Sequence, residues 1–107
     1  MLNSSFKDIK GYEGIYYIDK WGTIRNNVKE MRTYLINSGY KCIDLRDSEG
    51  VKRKWLVHRL VALNFLEEVS GCNVVNHIDG DKLNNHVDNL EWVTHQQNRD
   101  HAKDTGL

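Results

Sequence analysis

The chain has no proline among its 107 residues and no linker rich in Gly or Ser, so no clean domain boundary stands out. Only two cysteines are present, Cys42 and Cys72, far apart and in no C-x-x-C pair, which excludes a cysteine-based zinc site. Both read as small buried hydrophobes, and a disulfide between them is disfavoured in a reducing compartment. No apolar run approaches the roughly 20 residues that a bilayer span needs. The opening residues Met1 to Lys7 lack the apolar core of a signal peptide. The expectation is one small domain, or a domain with an arm, without a membrane partner and cytoplasmic. Net charge is also missing, since 15 Lys and Arg balance 15 Asp and Glu.

That balance hides an asymmetry. From Lys20 to Arg59 ten basic residues face four acidic ones, a net of +6, whereas from Leu60 to Leu107 three face eight, a net of −5. A basic half beside an acidic half fits a surface that grips phosphates next to a carboxylate-rich site. Simple decoration of a solvated surface accounts for the charges equally well.

Aromatic and β-branched runs broken by Gly predict strands near Ile15–Ile18 and Thr23–Arg25, joined by a turn over Asp19–Gly22. A short strand follows near Arg32–Leu35, and then a hairpin of Tyr40–Arg46 with Val51–Val57. Val57, Leu60, Val61 and Phe65 fall at helical spacing, so a short, largely buried helix is predicted from His58 to Leu66. Val74–Asn76 and Leu90–Val93 read as paired strands separated by a long loop. Thr94 and Gln97 form a T-x-x-Q capping box for a helix running to about Asp104, with Gly106 as its stop. The fold class is therefore α+β, divided by role into a β-rich arm over 1–50 and a working unit over 51–107.

The polar run Asn76-His77-Ile78-Asp79-Gly80-Asp81-Lys82-Leu83-Asn84-Asn85 carries the chemistry, together with Asn89 and Asn98. In a ββα arrangement Asn76 and His77 end the first strand, and Asn98 sits in the first turn of the helix. Amide oxygens of Asn76 and Asn98 suit one hard divalent ion, Mg²⁺ or Mn²⁺, and His77 is placed to take a proton from water. Asp79 and Asp81 do not start an EF-hand loop, because the fifth, sixth and twelfth places are Leu83, Asn84 and Leu90. They read as turn formers. Asn84, Asn85 and Asn89 read as loop hydrogen-bonders. His58 reads as a capping or packing residue, and Trp55 and Trp92 as core. His86 and His95 have no partner at useful spacing. Trp21 either packs under the arm or stacks on nucleic acid. His101, one turn past Asn98, is a second ligand, a phosphate contact or an exposed helix histidine. For phosphate contact the candidates are Lys52, Arg53 and Lys54, with Arg25 and Arg59 behind them.

The pattern N-H-x-D-G-D-K-x-N-N…N-L-x-W-V-T…N, with V-H-R-L-V-A at Val57–Ala62 before it, resembles the HNH endonucleases in their phage form. The opening F-K-D-I-K-G-Y-E-G…Y-x-I-D-K-W-G-x-I-R-N resembles the small module that accompanies such nucleases among homing endonucleases. The resemblance covers nearly the whole chain. It implies a ββα-metal (His-Me finger) unit acting on double-stranded DNA as a monomer or weak dimer. It also implies His77 as general base, Asn89 as the residue tying the loop between the strands, and Asn98 as a metal ligand. One departure stands out: the position before the base, often Asp in this family, is Asn76, and a neutral amide holds Mg²⁺ more weakly than a carboxylate. Larger relatives carry a further C-terminal DNA-reading region, so the chain reads as a minimal nuclease or a shortened one. The alternative function is a DNA-binding or accessory module on this scaffold with weak or lost catalysis.

Overall fold

The computed structural model describes residues 5–99 of the chain. Its fold is α+β, with three small antiparallel sheets arranged around one helix. The first sheet joins β1 (Lys7–Asp8), β2 (Tyr17–Ile18) and β3 (Ile24–Arg25). The second joins β4 (Tyr34–Leu35), β5 (Lys41–Arg46) and β6 (Lys52–Leu56). β6 runs directly into helix α1 (Val57–Phe65). The third sheet is the hairpin of β7 (Val74–His77) and β8 (Leu90–Val93), with a 3₁₀ turn at Val87–Asn89 between them. A second helix, α2, begins after Thr94 and is described over 95–99. The rest of its expected span, with His101 and Gly106, lies outside the described residues.

The N-terminal strands are shorter than their β-branched runs predict, and the reason is local hydrogen bonding. Ile15 and Tyr16 donate their amides to the Tyr12 carbonyl in a turn (2.9 and 3.1 Å), which leaves only Tyr17–Ile18 for the ladder. Thr23 is likewise held by the Asp19 carboxylate at 2.9 Å. β1 pairs with β2 in a stretch whose sequence gives no strand pattern.

The register of β5 with β6 sets Ile43 opposite Trp55 and Leu45 opposite Arg53 on one face, with Asp44 opposite Lys54 and Arg46 opposite Lys52 on the other. Ile43 and Leu45 enter a buried cluster with Ile9, Ile18 and Ile24 of the first sheet, Val57, Leu60 and Val61 of α1, and Val75 and Leu90 of the hairpin. The 50/51 division thus falls within the β5–β6 hairpin, and the core draws on both sides of it.

One buried polar residue binds the first strand to the helix. Asn64, on the inner side of α1, accepts the Lys10 amide at 2.9 Å and donates to the Leu60 carbonyl at 2.7 Å. Its own carbonyl takes the Lys7 ammonium. No polar atom of that side chain is buried at random: the amide closes the gap between arm and helix.

Candidate active site

His77 ends β7 and lies on the same strand face as Val75, opposite Leu90 of β8, so it points toward the core side of the hairpin. Only 6 % of it is exposed. Its ring lies 4.7 Å from the His58 ring and 5.9 Å from Tyr40, nearly parallel to the latter at 26°. Tyr40 and His58 are themselves 4.9 Å apart, and the Lys82 ammonium lies 5.0 Å above Tyr40. Nε2 of His77 meets Oδ1 of Asn85 at 2.8 Å, both residues being buried.

His58 is the neighbour whose charge state the fold controls most strongly. Burial pushes its pKa down from 6.5 to about 3, and the charges that His77 and Arg59 can carry push in the same direction. At neutral pH it is an uncharged ring against His77. Its Nδ1 is buried with no hydrogen-bond partner. It acts as a packing residue in the second position of α1.

The loop after His77 is closed by its own side chains. The Asp79 carboxylate accepts from the Asp81 amide at 2.8 Å, from Asn84 at 3.0 Å and from Asn89 at 2.9 Å. Asn89 returns its oxygen to the Asp79 amide at 3.0 Å and donates to the Asn84 carbonyl at 2.9 Å. These donors, Asn84 first, hold the Asp79 carboxyl below the usual range. Asp79 is a buckle for the loop, and Asn89 is the tie that fastens it. His86, without an expected partner in sequence, caps the 3₁₀ turn by accepting the Asp88 amide at Nδ1 (3.0 Å) and meets the Trp21 ring edge at 4.1 Å. Trp21 remains 71 % exposed.

Asn76 is buried on the opposite face of β7, directly across from Glu91 of β8. The T-x-x-Q box forms: the Thr94 hydroxyl accepts the Gln97 amide at 3.0 Å, and the Thr94 amide donates to the Gln97 side chain at 2.9 Å. This start places Asn98 in the first turn of α2, with its amide on the Thr94 carbonyl at 3.0 Å. Among the described residues no three His, Cys, Asp or Glu side chains gather as a metal cluster. The two amides expected to hold a cation sit on different elements, Asn76 on β7 and Asn98 on α2; both offer neutral oxygens of the hard kind that a cation keeping most of its waters accepts.

The basic candidates separate by face and by partner. Strand alternation puts Lys52 and Lys54 on the outer face of β6, while Arg53 lies on the other with its guanidinium 4.1 Å over Trp55. Arg59 lies 5.6 Å over Trp92 and donates to the Asn73 carbonyl at 2.9 Å. Arg25 donates to the Asn26 carbonyl and lies 5.9 Å over Phe6. A cleft of about 380 Å³ beside the loop is walled by Trp21, Arg32, Lys41 and Asn85.

Tyr40, His58 and Asn85 are the neighbours of His77 that sequence reasoning did not join to it. A turn-flanking residue, a helix residue and a loop residue share no spacing that would announce their meeting.

Residues 56–100 match the family model described as HNH endonuclease. The DNA endonuclease I-HmuI of Bacillus phage SP01 is 38 % identical over 103 residues, which is 94 % of this chain and 59 % of that protein. The putative HNH homing endonuclease YosQ, SPbeta prophage-derived, of Bacillus subtilis (strain 168) is 40 % identical over 97 residues, 89 % of this chain and 56 % of its own length. An uncharacterized HNH endonuclease of Acanthamoeba polyphaga mimivirus is 42 % identical over 93 residues, 86 % of this chain and 28 % of its own length. The solved structure of I-HmuI superposes with a TM-score of 0.85 at 38 % identity, again over 94 % of this chain and 59 % of that one. The chain thus spans between about a quarter and three-fifths of these curated relatives. By fold, motif and sequence the chain belongs to the HNH endonuclease family, with its HNH unit at residues 56–100.

Proposed function

We propose that the chain is a divalent-metal-dependent DNA endonuclease in which His77 is the general base. The observation that carries this reading is a buried imidazole at the end of β7, hydrogen-bonded at Nε2 and next in sequence to the buried amide of Asn76. I-HmuI, the similar solved protein, binds and cleaves DNA as an HNH homing endonuclease. His77 takes a proton from water as the water oxygen attacks phosphorus; the bond to the 3′ oxygen breaks and that oxygen takes a proton from solvent water, leaving 5′-phosphate and 3′-hydroxyl ends. Mg²⁺ or Mn²⁺ held by Asn76 and Asn98 would supply charge stabilisation to the scissile phosphate and the departing oxygen. Asn89 and Asp79 keep the loop closed so that His77 stays in register. One such site serves one strand, so a monomer nicks, and cleavage of both strands needs a dimer or a second visit.

His77→Ala should abolish conversion of supercoiled plasmid to open circle in Mg²⁺ or Mn²⁺ while leaving DNA binding nearly intact. Persistent nicking by that variant would remove His77 from the chemistry. A second reading is favoured by one residue, Asn76, which gives a cation a neutral ligand where the family often has Asp. On that reading the chain is a DNA-binding module with feeble catalysis, and the parent protein binds DNA in a salt-sensitive way without nicking in either metal.

A further inference from the structure

We propose that Asn85 is the positioning residue that fixes the tautomer of His77, and that the β2–β3 turn of the N-terminal arm clamps Asn85 in place. The inference rests on His77 being the general base. It assigns a task to a loop residue and to an arm that otherwise belong to architecture and DNA contact.

A neutral imidazole carries one N–H and one lone pair, and its partners decide which nitrogen has which. The partner of Nε2 is the side-chain oxygen of Asn85, 2.8 Å away. An amide oxygen only accepts, so Nε2 carries the hydrogen and the lone pair falls on Nδ1. Nδ1 is therefore the atom that receives the proton from water. Asn85 and His77 are buried, at 5 and 6 % exposure, where an atom left unpaired has no water to replace its partner. Tyr40 and His58 pack around the imidazole, which restrains its rotation away from Asn85.

Asn85 is itself held from the arm. Three consecutive arm residues meet three consecutive loop residues in reverse order. The Lys20 carbonyl accepts the Val87 amide at 2.9 Å, and the Trp21 ring meets His86 at 4.1 Å. Gly22 lies beside Asn85 and Val57: a Cβ built there would be in ordinary contact with the Asn85 Cβ at 3.5 Å and tight against a Val57 methyl at 3.0 Å. Gly22 also has φ +85°, in the region that glycine enters at little cost. The tight approach to Val57 and the positive φ thus both demand glycine where the arm passes alongside Asn85.

The test uses the full chain, labelled with ¹⁵N-histidine, in EDTA at a pH where His77 is neutral, with His77→Gln identifying its resonances. The parent protein should show His77 as the Nε2–H tautomer. Asn85→Leu, which has no acceptor, should lose that preference and lower kcat for plasmid nicking by about 10- to 100-fold with DNA affinity unchanged. Asn85→Asp keeps an acceptor oxygen and should retain both the tautomer and most of the rate. Gly22→Ala should shift the tautomer population in the same direction as Asn85→Leu, by less. An Nδ1–H tautomer in the parent protein would overturn the proposal, as would Asn85→Leu with unchanged tautomer and rate. An unchanged His77 spectrum in folded Gly22→Ala would overturn the clamp. If Asn85→Leu does not fold, the parent spectrum and Asn85→Asp still decide the matter. Since the tautomer is read without metal or turnover, nicking by His77→Ala would defeat the base assignment while leaving the Asn85 pairing separately measured.

Discussion

Two turns in this molecule share one design and differ in what they touch. In Asp19-Lys20-Trp21-Gly22-Thr23 and Asp47-Ser48-Glu49-Gly50-Val51, the Asp carboxylate accepts the amides two and four residues on, all at 2.9 Å. In each, the Asp amide donates to the fifth residue at 3.1 Å and the Gly amide returns to the Asp carbonyl. Gly22 and Gly50 have φ of +85° and +82°. Around Gly50 a Cβ would meet nothing within 4 Å, whereas around Gly22 it meets Val57 and Asn85. The local chemistry of an Asp and a Gly three residues apart fixes the shape of both turns. Only tertiary position brings one of them against Asn85, the hydrogen-bond partner of His77.

The sharpest way to break this equivalence is to add one methyl group to each turn. Gly22→Ala should destabilise by about 2–4 kcal/mol, combining left-handed strain with displacement of Val57. Gly50→Ala should cost about 1–2 kcal/mol, for strain alone. Urea unfolding of the two variants measures the gap, and equal losses would mean that the packed turn yields freely.

Acid should sharpen the contrast next, because Val57, which Gly22 touches, is followed in α1 by His58. The folded pKa of His58 is held at about 3 against 6.5, by burial first and then by the facing charges of His77 and Arg59. The unfolded chain therefore gains a proton below about pH 6.5 that the folded chain refuses. This part of the stability is fully present above that pH and is lost on acidification toward 3, with a slope near 1.4 kcal/mol per pH unit. About 2 kcal/mol should be gone by pH 5. His58→Leu should remove this share of the slope between pH 7 and 5 in urea unfolding; an unaltered slope would assign the acid sensitivity to other groups.

The smallest expected effect lies on the hairpin that carries the exposed turn. Replacing Lys52 and Lys54 together by Ala should weaken DNA binding uniformly across sequences and lower the salt slope by about 2. Arg53→Ala should change that slope less, since its guanidinium rests on Trp55. Binding titrations over a salt series separate the two, and an equal change would put all three residues on one DNA-facing surface.

How much of this was legible in the sequence depended on whether the signal was local. β5, β6 and β8 follow alternation and turn residues, α1 follows its apolar spacing, and the capping box of α2 is written in two residues, Thr94 and Gln97. Asn89 was legible as a loop hydrogen-bonder, but its specific tie came through family resemblance, because its bonds to Asp79 and Asn84 span a bend that no periodicity describes. The ring cluster and Asn85 were not legible as a site. Each side chain has an adequate local explanation, and only the packing of α1 on the β7–β8 hairpin brings them to His77. The grouping of Lys52, Arg53 and Lys54 as one basic run ignored the strand pleat, which sends the middle residue to the other face.

The amide of Asn64 has a consequence for how such chains can be recombined. It lies in α1, inside the HNH unit, yet its oxygen is satisfied by the backbone of Lys10 in the arm. An arm exchanged between nucleases must arrive with an amide hydrogen at that position, or the graft inherits a buried acceptor with no donor. Compatibility between the two halves is thus partly set by a single main-chain hydrogen, which neither half displays when read alone.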